Sequence, residues 1–172
     1  AGGYALLEKP ENCDAKNNIS FLGYGESSDA YHMTSPQPDG MGMAQSMKMA
    51  LKSSGLNADQ VSYVNLHGTA TKNNDKAEDK AIVKVFGSST PCSSTKGWTG
   101  HTLGAAGIAE AIICAICLEN NFIPGSLNTQ VVDTDLGSNI ILENRQEKID
   151  YVLSNSFGFG GNNCSLIFGV FP

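Results

Sequence analysis

The chain has 172 residues, enough for one domain with a buried core, and 41% of them are hydrophobic against 16% charged. That balance excludes a disordered chain, and the 19 Gly follow no Gly-X-Y period, which excludes collagen. A formal charge of −6, with Arg145 the only Arg, argues against nucleic-acid binding, because phosphate contacts need clustered Lys and Arg.

No membrane span is expected: the longest apolar run, Leu103 to Leu118, is short, rich in Gly and Ala, and carries Glu110. Ala1-Gly2-Gly3-Tyr4 lacks the basic and apolar regions of a signal peptide, and the absence of an initial Met hints at a piece of a longer chain. The Cys number 5, an odd count, which suits free thiols in a reducing cytoplasm better than a disulfide framework. Cys114 and Cys117 match C-x-x-C within an apolar run, but no second pair completes a zinc set, so they read as core.

Hydrophobic period and punctuation predict the elements in chain order. Tyr4–Glu8 and Ile19–Glu26 read as strands, followed by a turn-rich loop from Ser27 to Gly40 with Pro36 and Pro38. Met41–Ser53 reads as a helix with Asp39 near its start and Gly55 beyond its end, and Val61–Leu66 as a buried strand. Asp75–Phe86 is the next helix, closed by Gly87, and Pro91–Thr95 a short strand. Thr102–Asn120 reads as a long, central, buried helix, because its Gly and Ala allow close backbone approach. Ile140–Glu143, Tyr151–Phe157 and Cys164–Phe171 are further strands, the last two a hairpin across Gly158–Asn163. Strands alternating with helices predict an α/β domain with a mostly parallel sheet covered by helices.

Polar groups interrupt this pattern in three segments. The first, Asn65 to Thr71, ends a buried strand in His67, Gly68 and two hydroxyls, at the carboxyl end where α/β folds bind ligands. A core His capping a turn would give the same pattern. The second, Ser94 to His101, brings Lys96 and His101 to the start of the Gly-rich helix, and a buried Lys96 would need Glu78 or Glu110 beside it. The third, Asn155 to Asn163, wraps glycines around Phe157 and Phe159, a loop whose amides suit an oxyanion hole or simply a tight hairpin.

Together the three resemble the C-terminal half of an elongating β-ketoacyl-acyl carrier protein synthase of the thiolase-like superfamily. HGTAT at 67–71, STKGWTGH with LGAAG at 94–107, and NSFGFGG at 155–161 carry the resemblance. GYGESSDAYHM at 23–33 and FIPGSLN at 122–128 extend it over nearly the whole chain. It implies a thiolase-like C-terminal domain over residues 1–172, a mixed five-stranded sheet that is half of an αβαβα layered fold.

The implied reaction is decarboxylative condensation of malonyl-carrier protein with a cysteine-bound acyl chain, in fatty acid or polyene/polyketide synthesis. His67 and His101 match the family's two catalytic His, Lys96 its Lys, and Glu78 that Lys's acidic partner. Phe159 matches the aromatic that gates the acyl pocket and gives its N–H to the oxyanion hole. Thr69 and Thr71 match the hydroxyls that hold the phosphopantetheine arm, with Phe157 and Gly160 as further substrate contacts. Asn65, Glu110, Ser154 and Asn155 match a structural monovalent cation site. No cofactor of the chain's own is implied; the phosphopantetheine belongs to the acyl carrier protein. The resemblance further implies a homodimer in the full-length protein.

Three positions depart from the family pattern: Lys72 stands for Pro, Asn74 for a Gly expected in a left-handed turn, and Asn162 for Thr. Asp29 and His32 sit in a family motif without an assigned role. None of the five Cys has the strand-to-helix elbow of the family nucleophile, so the chain resembles the C-terminal domain of a longer protein, inactive by itself. Lys76, Lys80 and Lys84 recur on one helix face, which fits a solvated face or carrier-protein docking. The alternative to an enzyme is a non-catalytic thiolase-fold partner that sets chain length; such partners tend to lose the His pair retained here.

Overall fold

The computed structural model describes residues 1–12 and 19–170, which leaves Cys13 and the last residues of the chain, Phe171 included, outside the described set. The elements follow in order: β1 (Ile19–Ser28), α1 (Met41–Ser54), β2 (Tyr63–Asn65), α2 (Lys72–Phe86), β3 (Pro91–Ser93) and α3 (Lys96–Thr99). After these come α4 (Ala106–Asn120), β4 (Phe122–Ile123), β5 (Asn139–Ile140), β6 (Arg145–Gln146), β7 (Tyr151–Gly158) and β8 (Asn162–Val170).

Six strands form one mixed sheet in the order β1-β8-β7-β2-β3-β5, one strand more than the resemblance implies. Strands β7, β2, β3 and β5 run parallel, while β8 pairs antiparallel with both β7 and β1. A separate pair, β4 with β6, is too short to show in a hydrophobic period. Tyr4–Glu8 is no strand: Tyr4, Leu6 and Leu7 are exposed and pair with nothing in the sheet, so their alternation has no face to bury.

Helices cover both faces. Alternation along β7 sends Leu153 and Phe157 toward α1 and α2, where Met43, Met47, Ala77 and Ile82 complete one core. Val152 points the other way, into a second core with Tyr63, Cys114, Cys117 and Leu118. Gly25 on β1 lets α1 lie against the strand, because a Cβ there would fall 2.0 Å from the Ser46 carbonyl oxygen. Helix α1 stops where Gly55 turns left-handed and returns its N–H to the carbonyls of Leu51 and Lys52.

Two helices differ from expectation. Helix α2 begins at Lys72, because extended Thr71 accepts from the Asp75 amide at 2.9 Å; Asn74 is therefore helical. The segment read as a central buried helix is a 3-10 turn, Leu103–Ala105, followed by α4. Only one side of α4 meets the sheet, so Ile112 and Ile116 stay 39% and 50% exposed. Leu103–Asn120 has the length and mean hydropathy, 1.6, of a membrane span, yet its Glu110 is buried within the domain. Cys92, Cys114, Cys117 and Cys164 carry free thiols, and burial raises the pKa of each.

Candidate active site

Parallel strands β2 and β3 end side by side, Asn65 opposite Ser93, so the segments leaving them emerge together at the carboxyl end of the sheet. Leu66 prolongs the pairing by donating to the Ser93 carbonyl at 2.9 Å, and His67 follows. The turn after it closes tightly: Gly68 has φ 38, and a Cβ there would stand 2.5 Å from the Ser94 Cβ. Ser94 Oγ donates to the Gly68 carbonyl at 2.7 Å, tying the two segments together.

Glu78, on α2, anchors this turn. Its carboxylate accepts from the His67 and Gly68 amides, each at 2.8 Å, and from Asn155 Nδ2 at 3.3 Å. Burial pushes the Glu78 pKa up to about 7, with the two amides and the Lys96 charge pulling against it. Glu78 is thus a backbone anchor. The expectation that it pairs with Lys96 is corrected: Lys96 forms its buried ion pair with Glu110, which α4 brings to the other side of the site. The sequence left both carboxylates open because helix phase alone does not tell which one reaches the ammonium.

Lys96 Nζ also lies 3.4 Å from His67 Nδ1. An ammonium only donates, so Nδ1 accepts and the ring proton resides on Nε2. Burial first, then the Lys96 charge, lowers the His67 pKa to about 3, so the ring is neutral at physiological pH. His101 reaches the same tautomer differently, through a bond of 3.3 Å from the Leu103 amide to its Nδ1. The two rings stand edge to face with centroids 5.5 Å apart. Both rings thus accept at Nδ1 and carry a proton on Nε2 where they meet.

That place opens into a cavity of about 1190 Å3 lined by both His, Thr69, Thr71, Phe157 and Phe159. The hydroxyls of Thr69 and Thr71 bond each other at 2.8 Å, and the exposed Phe159 ring borders the opening. Phe157 stacks obliquely on His67 at 5.9 Å. Gly160 is a correction: it does not line the cavity, since its amide is bound to the Met33 carbonyl at 2.7 Å. Gly158 and Asn162 line it instead. Asp29, without a role in the sequence, holds the hairpin by accepting from Asn163 Nδ2 at 2.7 Å, while its amide donates to the Gly161 carbonyl. Pairing with a loop more than a hundred residues away leaves no local signal.

The four residues matched to a cation site divide between the faces of the sheet. Asn65 bonds Thr95 and Glu110 bonds Lys96, and the remaining oxygens, Asn65 Oδ1 and Glu110 Oε2, are buried without a protein partner among the described residues. Ser154 adjoins β2 on this face and bonds Cys114. Two orphaned oxygens suit a hard cation. Asn155 does not belong as a side-chain ligand: it faces α1, bound to Ser165 and Glu78.

Residues 20–130 match the family model described as the C-terminal domain of β-ketoacyl synthase. The chain is 41% identical, over 96% of its length and 42% of the relative's, to 3-oxoacyl-[acyl-carrier-protein] synthase 2 of Vibrio cholerae. A putative mitochondrial 3-oxoacyl-[acyl-carrier-protein] synthase of Schizosaccharomyces pombe is 40% identical, over 96% of the chain and 41% of the relative. The chain thus spans about two fifths of the length of these curated relatives. Among solved structures, the ketosynthase–chain length factor complex of Xenorhabdus doucetiae superposes with a TM-score of 0.85 at 46% identity, over 89% of the chain and 39% of that chain. A type II polyketide ketosynthase in complex with its acyl-carrier protein superposes at 0.86 and 32% identity, over 90% and 39%.

Proposed function

The chain belongs to the β-ketoacyl synthase family, through its C-terminal domain, and from that premise we propose that it supplies the decarboxylation half of a condensing site. The observation that carries the reading is the meeting of His67 and His101 at 5.5 Å, each with its ring proton on Nε2. A malonyl thioester whose carbonyl oxygen accepts from both is set to lose carbon dioxide. The electron pair of the breaking C–C bond moves into the thioester, leaving an enolate oxygen between two N–H donors.

Neutral donors suit this step, because an imidazolium would give its proton to the enolate and quench the carbon nucleophile. Burial and then the Lys96 charge keep His67 neutral, and Glu110 balances the Lys96 charge in turn. The enolate carbon then attacks an acyl thioester on a cysteine outside this chain, with the Phe159 N–H as one donor to the second oxyanion, which collapses as the C–S bond breaks and the cysteine leaves as thiolate. Thr69 and Thr71 bind the arm that carries the malonyl group. Asn65, Glu110 and Ser154 would hold a monovalent cation that adds countercharge beneath the site and takes no part in bond making.

The substrate is thus a malonyl group on acyl carrier protein, and the full-length protein is a cytoplasmic homodimer. A chain-length partner is the weaker reading, since a partner without chemistry has no need of the His pair and the buried lysine behind it. In the full-length protein, His67→Ala or His101→Ala should each cost about 10² to 10³ in decarboxylation of malonyl-carrier protein. Decarboxylation at the parent rate in either variant refutes the assignment. This chain alone, mixed with acyl- and malonyl-carrier protein, should form no ketoacyl product.

A further inference from the structure

The glycine-rich turn between β7 and β8 carries Phe159, and the sheet fixes both of its ends. Gly158 and Asn162 face each other in the β7–β8 ladder, and Asn162 also pairs with Ser28 of β1. Between them, Gly160 and Gly161 stand at φ 80 and φ 72, a region that residues without a Cβ enter freely. A peptide beside such a glycine can rotate between two orientations, so bonds made outside the turn's own backbone must choose one.

The Phe159–Gly160 peptide is held at both poles. Its N–H donates to the Met33 carbonyl at 2.7 Å, a backbone bond to the loop that follows β1. Its carbonyl accepts from Asn162 Nδ2 at 3.1 Å, a bond that one side chain supplies. A Cβ on Gly160 would stand 3.1 Å from the same Nδ2, so the Asn162 amide sits close under the turn. Packing adds little, since Phe159 is 74% exposed. Asn162 lines the cavity with Phe159 and stands where the family pattern has Thr.

We propose that Asn162 is a positioning residue for the acyl-transfer steps: its side-chain amide locks the Phe159–Gly160 peptide and so keeps the Phe159 N–H aimed into the cavity. The inference deepens the function proposed above and rests on it. That N–H belongs to the preceding peptide, whose other end is Gly158, tied into the ladder. With Gly158 fixed on one side and a locked peptide on the other, the N–H keeps its direction. Such a donor helps only when it already points to where the negative charge forms. Two steps form that charge. In loading, the thiolate of the cysteine outside this chain adds to an acyl thioester, and the oxyanion collapses as the carrier thiolate leaves. In condensation the enolate carbon adds to the acyl-cysteine, and the cysteine leaves as thiolate. Decarboxylation at the His pair uses other donors, from other segments.

The test measures cysteine loading from acyl-carrier protein and decarboxylation of malonyl-carrier protein separately, in the full-length protein. Asn162→Val and Asn162→Thr introduce side chains of nearly the same shape, but only Thr brings a donor. Asn162→Val should slow loading about tenfold more than it slows decarboxylation, with the loss in kcat rather than KM. Asn162→Asp, which keeps the parent's shape without the N–H, should behave like Asn162→Val. Asn162→Thr should load within about threefold of the parent. Equal loading by the Val and Thr variants overturns the lock and spares the reading of the His pair. A fall of loading and decarboxylation by one common factor also overturns it, because a disturbed cavity affects both. A parent that decarboxylates no malonyl-carrier protein overturns the proposed function, and this inference with it.

Discussion

Two buried groups next to each other should oppose one another in the pH dependence of stability. His67 titrates at about 3 in the fold against 6.5 in an unfolded chain. Between those values the unfolded chain holds the extra proton, so His67 contributes stability above 6.5 that is lost as the pH falls toward 3. Glu78 is raised from 4.5 to about 7, so here the folded chain holds the extra proton between those values. Its contribution is full below 4.5 and is lost as the pH rises through about 7. At about 1.4 kcal/mol per pH unit, His67 is worth about 5 kcal/mol over its whole window and Glu78 about 3. Between pH 4.5 and 6.5 the two slopes cancel. The perturbation is Glu78→Gln, which removes one titration and leaves the other. Urea unfolding can be followed by Trp98, the single Trp of the chain. Relative to the parent, the variant should lose about 3 kcal/mol on going from pH 6.5 to 4.5. His67→Gln should gain a similar amount between pH 7 and 4.5. Parallel profiles for parent and Glu78→Gln in that window would refute the reasoning.

Two further outcomes test the packing around the site. Lys96→Met leaves Glu110 buried without its cation and should cost about 3 to 5 kcal/mol, and adding Glu110→Leu should restore much of it, measured as a thermal double-mutant cycle. A single variant as stable as the parent means that the pair is not buried in solution. Gly25→Ala should cost about 1 to 3 kcal/mol, because its Cβ would overlap the Ser46 carbonyl oxygen and the backbone of α1 cannot yield; an unchanged melting temperature means that α1 does not lie on β1 this closely.

Much of this molecule is written locally. The apolar stripe Met43, Ala44, Met47, Ala50, Leu51 and the terminating Gly55 specify α1 almost to the residue, because helix period and a left-handed cap are properties of neighbouring residues. The long strands β1, β7 and β8 follow for the same reason, and the motifs around His67, His101 and Phe159 carry the family resemblance. Tyr4–Glu8 shows the limit: its alternation is that of a strand, but a strand exists only where another offers hydrogen bonds.

The choice of partner belongs to the tertiary structure alone. Helix packing brings Glu110 rather than Glu78 to Lys96, alternation along β7 turns Asn155 away from Ser154, and the Asp29 carboxylate reaches across the sheet to the hairpin. Residue types and local periods could name the candidate groups; burial and ring tautomers depend on distances between segments far apart in the chain, and those distances exist only once the sheet has closed.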